Sequence, residues 1–279
     1  MIKRRSFNRL YVENELRKVA AELTQKTAVF IAGGAAMAFY GLKEATKDID
    51  VVVQTRDDAK SIVLALRKLG YTDPRHRIAV NYMRMRASAI LENRDGFRWD
   101  IFEGTIAGKL SLSMGMIRRS QKLFDNGDLQ ASLLRKEDIF LLKSVTERDL
   151  DVEDMGIIAE SGVDWDVIAK ECRSQALHSP IIWEDALCSR LMDLKDRRGI
   201  ISPIEKEICR IADQKVLEAW ITRKVREGLC TVKDLTVDAG EPEHLIRKAI
   251  RRLVRKKVLT ANRSAKPHRF TTRRHLSQE

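Results

Sequence analysis

The stretch VFIAGGAAMAFYGLKEATKDIDVVV, Val29–Val53, decides how this chain reads. An apolar run, residues 28–32, ends at Gly33-Gly34, and that run reads as a buried strand. Residues 35–42 have the make-up of a short helix closed by Gly41. IDVVVQ, residues 49–54, is rich in β-branched side chains and reads as a second strand. Asp48 and Asp50 sit two apart at its start, and strand side chains alternate faces, so both carboxylates point the same way. Adjacent carboxylates repel, which pushes one to keep a proton, and a divalent cation with hard oxygen ligands removes the conflict. Asp-Ile-Asp is therefore a candidate metal site, and the same pattern also arises where a strand end carries aspartates into solvent.

Outward from this core, residues 10–25 carry apolar positions at helical spacing. Ile62, Ala65, Leu66 and Leu69 mark another amphipathic helix, stopped by Gly70. Residues 78–90 and 96–104 read as strands, with a turn over Glu92–Asp95 between them. Asp100 lies inside the latter strand among Trp99, Ile101 and Phe102, a third acid in an apolar strand context. Helices are expected at 136–148, 152–161, 164–173 and 183–197. This order implies an α/β (α+β) domain with a mixed sheet, flanking helices and a helical extension.

The Gly33-Gly34 pair lets backbone approach a phosphate closely, but it matches neither the dinucleotide fingerprint nor a P-loop. The order AGG…ATKDIDVVV…RWDIF resembles the nucleotidyltransferase superfamily, with its DNA polymerase β-like fold. The resemblance is closest to minimal nucleotidyltransferases and to those of toxin–antitoxin systems. It covers about residues 10–165 and takes in RKEDIFLLKSVTERDLDVEDM, residues 135–155. It implies that Asp48 and Asp50 bind Mg²⁺ (or Mn²⁺) gripping the triphosphate of an NTP substrate. Asp100 would share a second ion and help activate an acceptor hydroxyl. Gly33 and Gly34 would donate backbone N–H groups to phosphate. Lys143 would place a cation at the triphosphate, and Thr46 and Lys47 would touch phosphate. The implied activity is transfer of a nucleoside monophosphate to an acceptor that is a protein, an RNA end or a small molecule.

The chain's second part starts at Ser202-Pro203-Ile204-Glu205, where Ser, Pro and Glu form a helix-start signature. Helices at 203–227, 232–239 and 242–257 precede VLTANRSAKPHRFTT, which reads as two short strands. This part resembles winged helix-turn-helix DNA-binding domains. The expected organisation is 1–165 nucleotidyltransferase domain, 166–200 helical extension or linker, and 201–279 winged-helix domain. Residues 241–279 hold twelve Lys/Arg against three Asp/Glu, a net +9 of the chain's +12. Such concentration suggests a polyanionic partner, DNA or RNA. Arg247, Lys248, Arg251 and Arg255 lie off the Ile246–Leu253 apolar stripe, and Arg263, Lys266 and Arg269 fall at the expected wing.

No apolar run reaches transmembrane length and the first residues carry no apolar signal core, so the expectation is a cytoplasmic protein with no membrane partner. Two function classes remain. One is a nucleotidyltransferase tethered to a nucleic-acid-binding module. The other is a DNA-binding regulator or antitoxin-type protein whose first domain is non-catalytic or modifies a partner toxin.

Overall fold

The structure is a computed structural model that describes residues 5–74, 86–146, 148–177, 179, 181–262, 264 and 267–272. The chain divides into two compact units, 1–204 and 205–279.

The first unit is built on a six-stranded mixed sheet of order β5-β6-β4-β2-β10-β9. Its strands are β2 (Thr27–Ala32), β4 (Asp48–Val53), β5 (Ala89–Glu92), β6 (Arg98–Glu103), β9 (Gln121–Asn126) and β10 (Leu129–Leu133). Short pairs β1 (Phe7–Asn8) with β3 (Ala45–Thr46), and β7 (Thr105–Ile106) with β8 (Leu110–Ser111), stand beside it. Strand β2 is central, and Val29, Phe30, Ile31 and Ala32 are all buried, which is why its sequence is continuously apolar rather than alternating. Strand β9 is an edge, and its exposed Gln121, Lys122, Asp125 and Asn126 suit that place.

Helix α1 (Arg9–Glu22) is capped by Asn8, whose side chain accepts from the Tyr11 amide. Helix α3 (Arg56–Lys68) is capped by Thr55 in the same way. Between them α2 (Gly33–Phe39) follows β2 without a loop. Helices α4 (Met114–Arg119), α5 (Lys136–Ser144), α6 (Asp149–Glu160), α7 (Trp165–Gln175) and α8 (Trp183–Arg198) follow the sheet's other strands. Residues 166–200, expected as an extension, belong to the first unit, where α8 packs on α5, α6 and α7. Each buried Leu, Ile or Phe in these layers contributes about 1.5–3 kcal/mol.

Two stretches were not settled by the sequence reading. It assigned no element to residues 105–135, where β9 and β10 complete the sheet and β10 runs parallel to β2. The turn between them is a two-residue hairpin with Gly127, at φ +59°, in the first central position, where glycine is the favoured residue, and Asp128 in the second. Of the strand expected at 78–90, residues 78–85 lie outside the described residues, and its end forms β5.

In the second unit α9 (Glu205–Arg226), α10 (Val232–Ala239) and α11 (Glu243–Arg255) precede the antiparallel pair β11 (Leu259–Asn262) and β12 (Arg269–Thr272). Its core joins Ile221, Leu235, Ile246, Ile250, Leu253 and Phe270.

Candidate functional site

Strand register builds the site. Strands β4 and β6 run parallel with Asp50 opposite Asp100 and Asp48 opposite Arg98. With period-two alternation, these four side chains share one face of the sheet, while Ile49, Val51 and Trp99 take the other. Asp100 is fully buried, Arg98 is nearly so, and Asp48 and Asp50 are half-buried.

The Arg98 guanidinium lies among the acids. Its Nη2 donates to Asp48 Oδ2 at 3.0 Å and to Asp100 Oδ2 at 2.6 Å. Its Nε is also 2.6 Å from Asp100 Oδ1, a close ion-pair contact without hydrogen-bond geometry, so Nη2 makes the hydrogen bond to that carboxylate. Arg98 was missed by the sequence reading, although its spacing of two from Asp100 places it on the same face. Burial together with the Asp48 and Asp100 charges pushes the Asp50 carboxyl well above its ordinary range, against the pull of Arg98 and Arg148.

The glycine pair abuts these acids. Gly33 has φ +60°, and a Cβ there would stand 2.0 Å from Asp50 Oδ2. A Cβ on Gly34 would meet Thr46 Oγ1 at 3.1 Å. The close approach of α2 to β4 therefore requires glycine at position 33 whatever the ligand. The Ala32 side chain offers α2 no cap. Thr46 is buried, and its hydroxyl donates to the Asp48 carbonyl at 2.8 Å, so it shapes the β3–β4 turn.

A cleft of about 440 Å³ opens here, lined on one side by Gly33, Gly34, Thr46, Lys47, Asp48 and Asp50. Lys43, Lys143, Arg148, Asp151 and Asp154 line it too. It thus gathers every expected nucleotide-binding residue, while Asp100 stays behind the wall. Lys143 is buried, with Nζ 2.9 Å from Asp151 and 2.6 Å from Asp154. Lys43 adds a 2.9 Å contact to Asp154. Burial acts to lower the Lys143 pKa, but Asp151 and Asp154 outweigh it and raise it. Burial acts to raise that of Asp154, and Lys143 and Lys43 bring it below its usual range. Lys43, Arg148 and the two α6 acids had no role in the sequence reading, because each gains meaning only where α6 meets the sheet.

The donor chemistry fits one hard cation. Asp48 and Asp50 offer carboxylate oxygens to the cleft, and Mg²⁺ is commonly held by one or two carboxylates plus phosphate oxygens. A triad is not arranged for it. Among the described residues no group of three or more His, Cys, Asp and Glu side chains is placed to hold a metal ion.

The second unit carries a different site. Helix α11 buries Ile246, Ala249, Ile250 and Leu253 and leaves Arg247, Lys248, Arg251 and Arg255 exposed. Arg247, Arg251 and Arg255 recur every four residues along a groove of about 730 Å³ between α11 and the hairpin. Its floor is Ile250, Val254, Ala261 and Phe270, and Lys248 does not line it. Arg252 and Lys256 turn inward to Glu218, at 2.6 and 2.7 Å. Arg269 is exposed at the start of β12, and Arg263 and Lys266 lie outside the described residues.

No helix is long and apolar enough to cross a membrane among the described residues. No protein-family model matches the chain, and no curated protein matches it.

Proposed function

We propose that the first unit is a Mg²⁺-dependent nucleotidyltransferase that moves a nucleoside monophosphate from an NTP to an acceptor hydroxyl. The observation that carries this reading is the facing of Asp48 and Asp50 onto a cleft edged by the Gly33-Gly34 backbone. The fold intended is that of the polymerase β-like superfamily, with the resemblance resting on the residues quoted above. When bound, the ion neutralises triphosphate charge and the charge that develops on departing pyrophosphate. Asp48 and Asp50 hold it. The backbone at Gly33 and Gly34, without Cβ atoms, admits phosphate oxygens closely. Lys47 and Arg148 supply positive potential at the rim. Lys143, expected to touch the triphosphate, acts one step removed, by holding Asp151 and Asp154 and so shaping the far wall.

The second unit, on this proposal, is a winged helix that grips the phosphates of DNA or RNA through the Arg247, Arg251 and Arg255 row. A second reading has one observation in its favour. Asp100 is locked to Arg98, as expected of a domain that binds nucleotide without turnover and serves a DNA-binding or antitoxin-type protein. The test incubates the full chain with each α-labelled NTP, Mg²⁺, and RNA, protein or small-molecule acceptors. Label transfer supports the enzyme. Mg²⁺-NTP binding without transfer supports the second reading, and absence of both overturns the assignment of the cleft.

A further inference from the structure

Three acids on one sheet face suggest two metal ions, but the structure puts a guanidinium among them. Arg98 and Asp100 are two apart on β6, and the parallel register sets Arg98 beside Asp48. The contact is thus a product of the sheet itself. The Arg98 Nη2 donates to both Asp100 and Asp48, with Nε in ion-pair contact with Asp100, and so bridges the two carboxylates as a metal ion would. The Arg98 side chain is 9% exposed and that of Asp100 is 1% exposed. Arginine does not lose its proton in proteins, so this charge is permanent.

Charge count and access point the same way. Asp48, Asp50 and Asp100 with Arg98 sum to −2, the charge one divalent ion neutralises. A second ion at Asp100 would have to evict a buried guanidinium and leave it beside two dications. Asp100 does not line the cleft, whereas Asp48 and Asp50 do.

We propose that Arg98 is a built-in cation standing where a second metal ion would bridge Asp48 and Asp100. The cleft accordingly takes a single divalent ion, on Asp48 and Asp50, and Asp100 positions Arg98 instead of ligating metal. This rests on the nucleotidyltransferase reading of the cleft.

The test counts Mn²⁺ bound to the full chain by electron paramagnetic resonance, with a thermal-shift measurement of NTP–Mg²⁺ binding alongside. The wild type should bind one Mn²⁺ with no Mn–Mn dipolar coupling. Arg98→Met should bind two, with coupling, and Arg98→Lys should return to one. Two coupled ions in the wild type would overturn the proposal while leaving the nucleotidyltransferase reading intact. One ion in both the wild type and Arg98→Met would also overturn it, since Arg98 would not be what excludes the second. No Mn²⁺ bound and no NTP response would overturn the cleft assignment together with the proposal. Should Arg98→Met fail to fold, the wild-type count and Arg98→Lys still decide: one ion in each supports the proposal, and two in either overturns it.

Discussion

The two units spend their basic residues in opposite ways. In the first, Arg98, Lys143 and Arg119 turn inward onto Asp100, Asp151, Asp154, Asp138 and Glu171. In the second, Arg252 and Lys256 pair with Glu218 and Lys224 with Asp238, while Arg247, Arg251 and Arg255 line an open groove. Inward charge in a low-dielectric setting fixes geometry, which chemistry on a small substrate needs. Outward charge remains available for a polyanion, whose binding gains from counterion release. Net charge therefore describes the two units poorly, and the direction each cation faces describes them well.

The largest expected effect breaks the inward arrangement. Lys143→Met leaves Asp151 and Asp154 without their buried partner and should cost roughly 3–5 kcal/mol, read by urea unfolding of the full chain. An equal truncation in the second unit, Arg251→Ala, should stay within about 0.5 kcal/mol, because that side chain is exposed. Similar costs for both would remove the contrast.

Next comes the ligand response. Asp48→Asn combined with Asp50→Asn should abolish stabilisation by NTP–Mg²⁺, worth about 2.7 kcal/mol at a hundredfold excess over Kd. Thermal melts with and without ligand measure it. A double variant that still responds would move the nucleotide site elsewhere. Without ligand, the variant should be no less stable than the parent, since mutual repulsion of the acids is relieved.

pH separates the units by sign. Burial raises the Asp138 carboxyl to about 6, although Arg119 pulls it down. The stability this group contributes is full below its ordinary pKa of about 4 and is lost as pH rises through about 6. Asp138→Asn should flatten that part of the profile, changing it by about 2–3 kcal/mol. Burial acts to raise the Glu218 pKa, but Lys256 and Arg252 outweigh it and hold it low. Its contribution is present above the usual carboxylate range and is lost on acidification. Unfolding of Asp138→Asn and Glu218→Gln across pH 3–8 checks both signs.

The smallest effect on stability belongs to the outward face. Replacing Arg247, Lys248, Arg251 and Arg255 with Ala should leave the unfolding midpoint nearly unchanged. It should reduce the slope of log K against log salt for duplex DNA or RNA by up to about 3.6. Loss of fold instead of loss of binding would mean that these cations are structural.

Much of this was legible in advance. The β2–α2–β4 order followed from an apolar run, a glycine pair and β-branched residues, and the placement of Asp48 beside Asp50 followed from strand alternation. The apolar stripe of α11 was equally plain, because helical spacing is a local property. Strands β9 and β10 were passed over, although the Asn126-Gly127-Asp128 turn was a usable signal. QKLFDN is mostly polar, LQASL is only five residues long, and β10 is defined by pairing with β2 about a hundred residues earlier. Lys143 illustrates the same limit: the resemblance implied a cation at the cleft, but not that α6 would supply two acids to hold it.

By itself, the sequence determined which residues alternate, which helices are amphipathic, where glycine relieves a close approach, and that basic charge gathers in the last 39 residues. These depend on backbone periodicity and on composition, which neighbouring residues settle among themselves. The tertiary structure alone decided that Arg98 stands between Asp48 and Asp100, that Lys143 is tied to α6, and that three arginines share one groove. Each depends on strand register or on packing between segments distant along the chain. Electrostatic pairing then turns on separations of about 3 Å that no local pattern encodes.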